Sequence, residues 1–230
     1  EKFPPIFILG SPRSGSTLAM QVITQAFNLG YISNFHCKNL FSPKHTNEDF
    51  KRKIEKRTPS DFESYHGDAK GETAPAECGN WWYQFFRVKP TFVTLKDVDE
   101  EKMLLFRKKI EEMTHAFNKP IVFKNLYASL RLQVIGKYLP QSLFIIMKRN
   151  EVDNAHSLLE GRHNVYGNYE TWWSMEPPQI TKLKRLPAHE QVIEQIRHIH
   201  RTINSDLDYL EVPSTQRLDV YYEELCEKPR

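Results

Sequence analysis

Gly10, Arg13, Ser14, Gly15, Ser16, Thr17 and Leu18 fall in one short stretch, FILGSPRSGSTL, at residues 7–18. Their spacing is that of a loop built to hold phosphate. Gly10 and Gly15 keep the interval of the nucleotide-binding pattern G-x-x-x-x-G-K-[ST], and Thr17 fills its last place. Backbone N–H groups at a helix N-terminus, backed by the helix dipole, bind anions. Two glycines let the chain curl round the ligand, and the hydroxyls of Ser14, Ser16 and Thr17 add donors. The lysine of the pattern reaches the β- and γ-phosphates of a nucleoside triphosphate; here Ser16 stands in its place. Arg13 supplies a planar fork instead. A nucleotide with a short 5′ tail suits this loop better than a triphosphate.

A second anion element follows in LFIIMKRNEVDNAHSLLEG, residues 143–161. Arg149 ends an apolar run, at the strand terminus where α/β proteins bind ligands. Ser157 lies eight residues on, and an arginine and a hydroxyl from adjoining elements can clamp a second phosphate.

Taken together, these residues resemble the donor site of the sulfotransferases that use 3′-phosphoadenylyl sulfate (PAPS). SPRSGSTL resembles their 5′-phosphosulfate loop, and Arg149 with Ser157 their 3′-phosphate pair. VYYEEL at 220–225 is similar to the Tyr-Glu-x-Leu stretch after their last sheet strand, which brings Tyr222 to the nucleotide. The similarity runs from residue 6 to 228, and the PRSGS form is nearer the tyrosylprotein, carbohydrate and bacterial enzymes than the cytosolic ones. The resemblance implies a P-loop-containing nucleotide hydrolase-like three-layer fold, PAPS as donor, PAP as product and no metal. PAPS has no β/γ-phosphates, so the missing lysine has nothing to hold.

Sulfuryl transfer needs a base for the acceptor proton and positive charge on the transferred oxygens and leaving phosphate. Glu72, in KGETAPAECGNWW, resembles the catalytic glutamate of the tyrosylprotein and heparan-type enzymes, with Glu77 a lesser candidate. A histidine base, as in the cytosolic enzymes, would be His36 or His66, in the same segment. Lys124 ends the run IVF at a crevice-facing strand end; the resemblance gives it a share in catalysis, steadying the leaving phosphate with Arg13. Asn125 is placed to touch the acceptor. The aromatics of NWWYQFF (80–86) and ETWWSMEPP (170–178) divide between core and acceptor pocket. Two other readings stand beside this one: a P-loop kinase or NTPase with a degenerate loop, and a non-catalytic PAPS-binding protein.

Four apolar runs are read as strands that position these groups: 6–9, 121–123, 143–147 and 217–222. The first three are continuous, as parallel strands covered on both faces are. Helical periodicity is read at 14–27, 99–117, 129–139, 151–161 (ending on Gly161 as a cap) and 189–210. The alternation argues for an α/β fold with a central parallel sheet flanked by helices. Residues 33–98 and 165–190 are poorly periodic and are read as excursions of a single domain, 1–230, that cover the acceptor site.

The 230 residues suffice for a core without staples, and a net charge of +3 gives no argument for nucleic acid. Three cysteines without C-x-x-C spacing make neither a disulfide framework nor a zinc site. With no N-x-[ST] sequon, they favour a bacterial cytoplasmic enzyme over a Golgi-lumenal fragment. No apolar run is long enough to span a membrane; the start at Glu1 leaves an upstream anchor open. The partners expected are a small-molecule, carbohydrate or peptidyl acceptor, with a homodimer allowed.

Overall fold

The computed structural model describes residues 3–39, 48–50, 52–53, 62, 64–65 and 67–228. In chain order, β1 (Ile6–Leu9) leads into α1 (Ser16–Ala26), β2 (Gly30–Tyr31) and α2 (Asn34–Asn39). A small antiparallel hairpin follows, β3 (Ser64–Tyr65) with β4 (Asp68–Ala69), then α3 (Gly79–Trp82) and α4 (Glu100–Phe117). β5 (Ile121–Lys124) passes through a 3-10 turn (Leu126–Leu130) to α5 (Leu132–Tyr138) and β6 (Leu143–Lys148). The chain closes with α6 (Glu151–Tyr166), α7 (Ile180–Leu183), α8 (Ala188–Tyr209), β7 (Arg217–Tyr221) and α9 (Tyr222–Glu227).

Five strands form one parallel sheet in the order β2-β5-β1-β6-β7. All four strands expected from the sequence belong to it. β2 was not expected: two residues at a sheet edge carry no readable period. The register sets the site. Ile8 of β1 pairs with Lys124 on one side and Ile145 on the other, so the carboxyl ends of β5, β1 and β6 stand side by side. Lys124, the loop after Leu9 and Arg149 therefore emerge in a row, where the crevice of an open α/β sheet lies.

α4 buries Met103, Phe106, Ile110, Met113 and Phe117, the stripe its sequence shows, each worth about 1.5–3 kcal/mol of transfer free energy. Asp99 caps its start by accepting from Lys102 N–H at 2.9 Å. NWWYQFF is mainly core. Trp81, Trp82, Phe85 and Phe86 are all nearly fully buried, with Trp81 stacked on Phe123 and Phe85 against Phe106; half-buried Tyr83 turns to the cleft.

α6 corrects one expectation. It runs through Gly161 to Tyr166, and Gly167, left-handed at φ 71°, ends it by donating to the His163 carbonyl at 2.7 Å. Gly161 serves packing instead: a Cβ there would stand 2.2 Å from the Trp173 ring. Among the described residues no helix is long and apolar enough to cross a membrane.

Candidate active site

The loop between β1 and α1 is fixed from behind. Gly10 N–H donates to Ser129 Oγ at 3.0 Å, and Ser129 Oγ donates back to the Gly10 carbonyl at 3.2 Å. Asn154 of α6 accepts from Ser11 Oγ at 2.8 Å and donates to the Pro12 carbonyl at 2.7 Å. Gly15 must be glycine: it sits at φ 90°, and a Cβ would meet the Tyr222 ring at 2.2 Å. α1 then starts at Ser16 with no acidic residue in its first turn, leaving its N-terminal field to an anion.

Two guanidiniums flank this loop. Arg13 Nε donates to Ser157 Oγ at 3.0 Å, and Arg149 Nη1 donates to the Arg13 carbonyl at 2.9 Å. The Arg149 guanidinium stacks 4.5 Å from the Tyr222 ring centroid. Among the described residues neither arginine has a carboxylate in ion-pair reach. Burial first, then the Arg149 charge, lowers the Arg13 pKa, and Tyr222 partly restores it. The side-chain atoms Ser14 Oγ and Arg149 Nε are buried with no hydrogen-bond partner among the described residues. Unpaired donors and desolvated like charges of this kind fit a phosphate-bearing ligand, whose oxygens would satisfy them.

Loop, arginines and Tyr222 form one side of a cleft of about 610 Å³. On the other side Lys124, 4% exposed, is ion-paired to Glu77, with the Gly67 carbonyl 3.5 Å from its Nζ. Glu77 is held by its own main chain, whose carbonyl accepts from the Trp82 indole at 3.1 Å. Thr17 Oγ1 donates to the same Gly67 carbonyl at 3.3 Å, so the small hairpin spans loop and strand end. Aromatic side chains from both excursions also line it, Phe62, Tyr83, Tyr166, Trp172 and Trp173, joined by Tyr127 from the turn after β5.

Of the residues singled out in the sequence, Arg13, Gly15, Ser16, Thr17, Leu18, Lys124, Arg149 and Tyr222 line this cleft. Ser14 and Ser157 stand immediately behind it, through the loop turn and the Arg13 bond. Asn125 also lines it, its Oδ1 accepting from Tyr127 N–H at 3.1 Å. Glu72 does not. It lies in a separate depression with Asn34, Cys37, Lys38 and Gly71, its side chain 51% exposed and ion-paired to Lys53 at 2.7 Å. That pairing holds its carboxyl below the usual range. Glu77, five residues on, is the carboxylate in the cleft.

His36 is a core residue: 3% exposed, its ring 4.6 Å from Phe50, its Nδ1 2.8 Å from Ser33 Oγ, its pKa pushed down to about 4 by burial. His66 lies outside the described residues. Ser129 and Asn154, which pin the loop, were not singled out. Asn154 had a signal, standing one helical turn before Ser157 on the same face. Tyr83 and Tyr127 had none beyond being aromatic.

A buried polar network holds the Trp172–Ser174 strap. Arg162, fully buried, donates to Gln191 Oε1 at 2.8 Å and Gln195 Oε1 at 3.2 Å, and stacks on Trp172. Gln195 Nε2 donates in turn to the carbonyls of Trp173 and Met175, at 3.0 and 2.8 Å.

Known structures share this arrangement of sheet and helices. The sulfotransferase STF9 from Mycobacterium avium superposes with a TM-score of 0.63 at 13% identity, over 100% of this chain and 61% of that one. Sulfotransferase STF1 from Mycobacterium tuberculosis H37Rv gives 0.58 at 13% identity, over 99% and 64%. The sulfotransferase domain from the curacin biosynthetic pathway gives 0.51 at 14%, over 99% and 70%. This chain thus spans less than two thirds of either mycobacterial structure. At such identities the likeness carries the fold, that of the P-loop-containing nucleotide hydrolases. No curated protein matches the sequence. The model of the sulfotransferase family, however, matches residues 4–230, nearly the whole length. A phosphate loop without its lysine, set in this fold and matched over this span, makes the chain a member of the sulfotransferase family.

Proposed function

We propose that this chain moves a sulfuryl group from PAPS to a hydroxyl or amine of an acceptor, with Glu77 as the base. The observation that carries the reading is the Glu77–Lys124 pair, facing the phosphate loop across one cleft. The donor brings an activated S–O bond whose leaving group is a phosphate. The N–H groups from Ser14 to Leu18, with the Ser14, Ser16 and Thr17 hydroxyls and Arg13, bind its 5′ end. Arg149 and Ser157 bind its 3′-phosphate, and Tyr222 packs against Arg149 and the loop at Gly15. Lys124, extracted from water, supplies positive charge where negative charge gathers on the leaving oxygen. Glu77 takes the acceptor proton as the new bond to sulfur forms. The aromatic wall receives the acceptor, and Asn125 orients it.

Glu77 replaces Glu72 as the base because a base must reach the acceptor within hydrogen-bond distance or through one water. Glu72 faces another depression.

Calorimetric titration with PAP, beside ATP–Mg²⁺, tests the donor site. Micromolar PAP binding that Arg149→Ala abolishes, without response to ATP, is expected; ATP binding without PAP binding overturns the reading. Transfer from labelled PAPS across an acceptor panel tests the base. Glu77→Gln is expected to lower kcat by about 10²–10⁴ with PAP affinity kept, and Glu72→Gln to leave both. The reverse ranking would return the role to Glu72.

A further inference from the structure

Lys124, Glu77 and Thr17 meet at a point that the chain itself already fills. Gly67, in the turn between β3 and β4, lies there. Its carbonyl accepts from Thr17 Oγ1 at 3.3 Å and from Lys124 Nζ at 3.5 Å. A Cβ on Gly67 would stand 3.5 Å from Lys124 Nζ, 3.7 Å from Thr17 Oγ1 and 3.8 Å from Glu77 Oε1. One backbone position thus touches the strand-end cation, the loop hydroxyl and the cleft carboxylate together. The hairpin is tied in this place from its base. Asn34 of α2 donates through Nδ2 to the Ala69 carbonyl at 2.8 Å and the Gly71 carbonyl at 2.9 Å, and Ala69 is buried. Gly67 holds a φ of 99°, a conformation open to glycine and strained for a residue with a Cβ.

We propose that Gly67 makes an autoinhibitory contact: its peptide occupies the place of the sulfuryl group, and the hairpin withdraws before PAPS brings its transferable end to Lys124 and Glu77. The inference rests on the donor site proposed above. A sulfuryl group in transfer lies between the acceptor oxygen, beside the base, and the leaving oxygen, beside the cation. Glu77 and Lys124 bound that place, and the Gly67 peptide stands in it. Thr17 has one hydroxyl proton and gives it to the Gly67 carbonyl. A donor oxygen accepts it only once that carbonyl has left. The partial negative charge of the carbonyl also opposes the sulfuryl oxygens that Lys124 draws in. The contact therefore discriminates between donor and product. PAP ends at its 5′-phosphate and reaches the loop N–H groups and Arg149 without the place of Gly67. PAPS carries one group more, and its affinity is reduced by the fraction of chains whose hairpin has withdrawn.

The experiment titrates PAPS and PAP calorimetrically, without acceptor, into the full chain and two variants whose folding is checked by thermal melting. Gly67→Ala strains the latched conformation, since φ 99° disfavours a Cβ whatever the space around it. Asn34→Ala cuts the tie at the base of the hairpin, from a residue in the separate depression with Glu72. Both variants should bind PAPS about fivefold to tenfold more tightly than the parent, while PAP affinity changes by less than about twofold. Parent-like or weaker PAPS binding in both variants overturns the proposal, because the hairpin is then neutral or part of the donor site. Equal gains for PAPS and PAP overturn it too, since nothing then distinguishes the place of the sulfuryl group. If neither ligand binds the parent or either folded variant, the donor-site reading itself falls and takes this contact with it.

Discussion

At the residue scale, the cleft is recognisable by what its side chains lack. Ser14 Oγ is fully buried without a partner among the described residues, which in a merely structural serine would cost about 1–3 kcal/mol. Its removal therefore separates two roles. In Ser14→Ala the ligand-free protein is expected to melt at or slightly above the parent temperature, since an unsatisfied hydroxyl has gone. PAP affinity is expected to fall about tenfold or more, since a bond to a charged phosphate is worth about 1.5–3 kcal/mol. A lower Tm with unchanged PAP affinity would show that the hydroxyl serves the fold and not the ligand. Arg149→Lys makes the complementary case. It keeps the charge but loses the fork and the stacking on Tyr222, so its PAP affinity should lie between the parent and Arg149→Ala. These donors were legible in the sequence because each sits within a few residues of a strand end. Glu77 was harder to read, because Glu72 and Glu77 share one unstructured segment, and only the fold shows which of them turns inward.

At the element scale, α6 does three jobs with one face. Asn154 pins the phosphate loop, Ser157 holds Arg13, and Gly161 receives the Trp173 ring. Reading 151–161 as a helix ending in a glycine cap was reasonable from local rules, since glycine is common there. The helix instead continues to Tyr166 because tertiary packing decides: only a residue without a Cβ lets Trp173 lie flat on it. Gly161→Ala tests this. In an exposed helix the change would stabilise by about 1 kcal/mol; here the clash at 2.2 Å should outweigh that gain and push the Trp172–Ser174 strap outward. PAP titration should be unaffected, because Arg13, Ser157 and Arg149 are held by one another while the strap is held through Arg162 and Gln195. The KM for an acceptor that turns over should rise, and tryptophan emission should shift to the red as the ring gains water. An unchanged emission spectrum would mean that the strap does not depend on Gly161. The β1–α1 and β5–α5 units were legible for the opposite reason: their strands are continuous apolar runs, whose burial depends on the whole sheet and not on one neighbour.

At the scale of the whole molecule, the parallel sheet was written in the order of apolar and amphipathic segments, while the covering excursions were not, because their burial comes from long-range aromatic contacts with no period. His36 shows the consequence. In the sequence it was one of two rival candidates for the base; in the fold it is walled by Phe35, Phe50 and Phe117, and burial pushes it down to about 4. His200 is likewise pushed to about 4, by burial and then by Lys148, and Asp206 is pushed up to about 6 by burial. The signs differ. A histidine kept neutral in the fold is protonated first in the unfolded chain, so its contribution is complete above about pH 6.5 and is lost as pH falls toward 4. Asp206 keeps its proton in the fold up to about pH 6, so its contribution is present at low pH and is lost as pH rises through 4 to 6. The two effects oppose each other, with two histidines against one carboxyl. Denaturant unfolding between pH 4.5 and 6.5, a window chosen to lie about between these values, should therefore show stability falling on acidification. His36→Gln should flatten that fall by up to about 3 kcal/mol across the range. Asp206→Asn, which removes the opposing term, should steepen it. If His36→Gln kept the parent slope, His36 would be titrating as an exposed histidine does, and the aromatic packing that sets it apart from the cleft would have to be wrong.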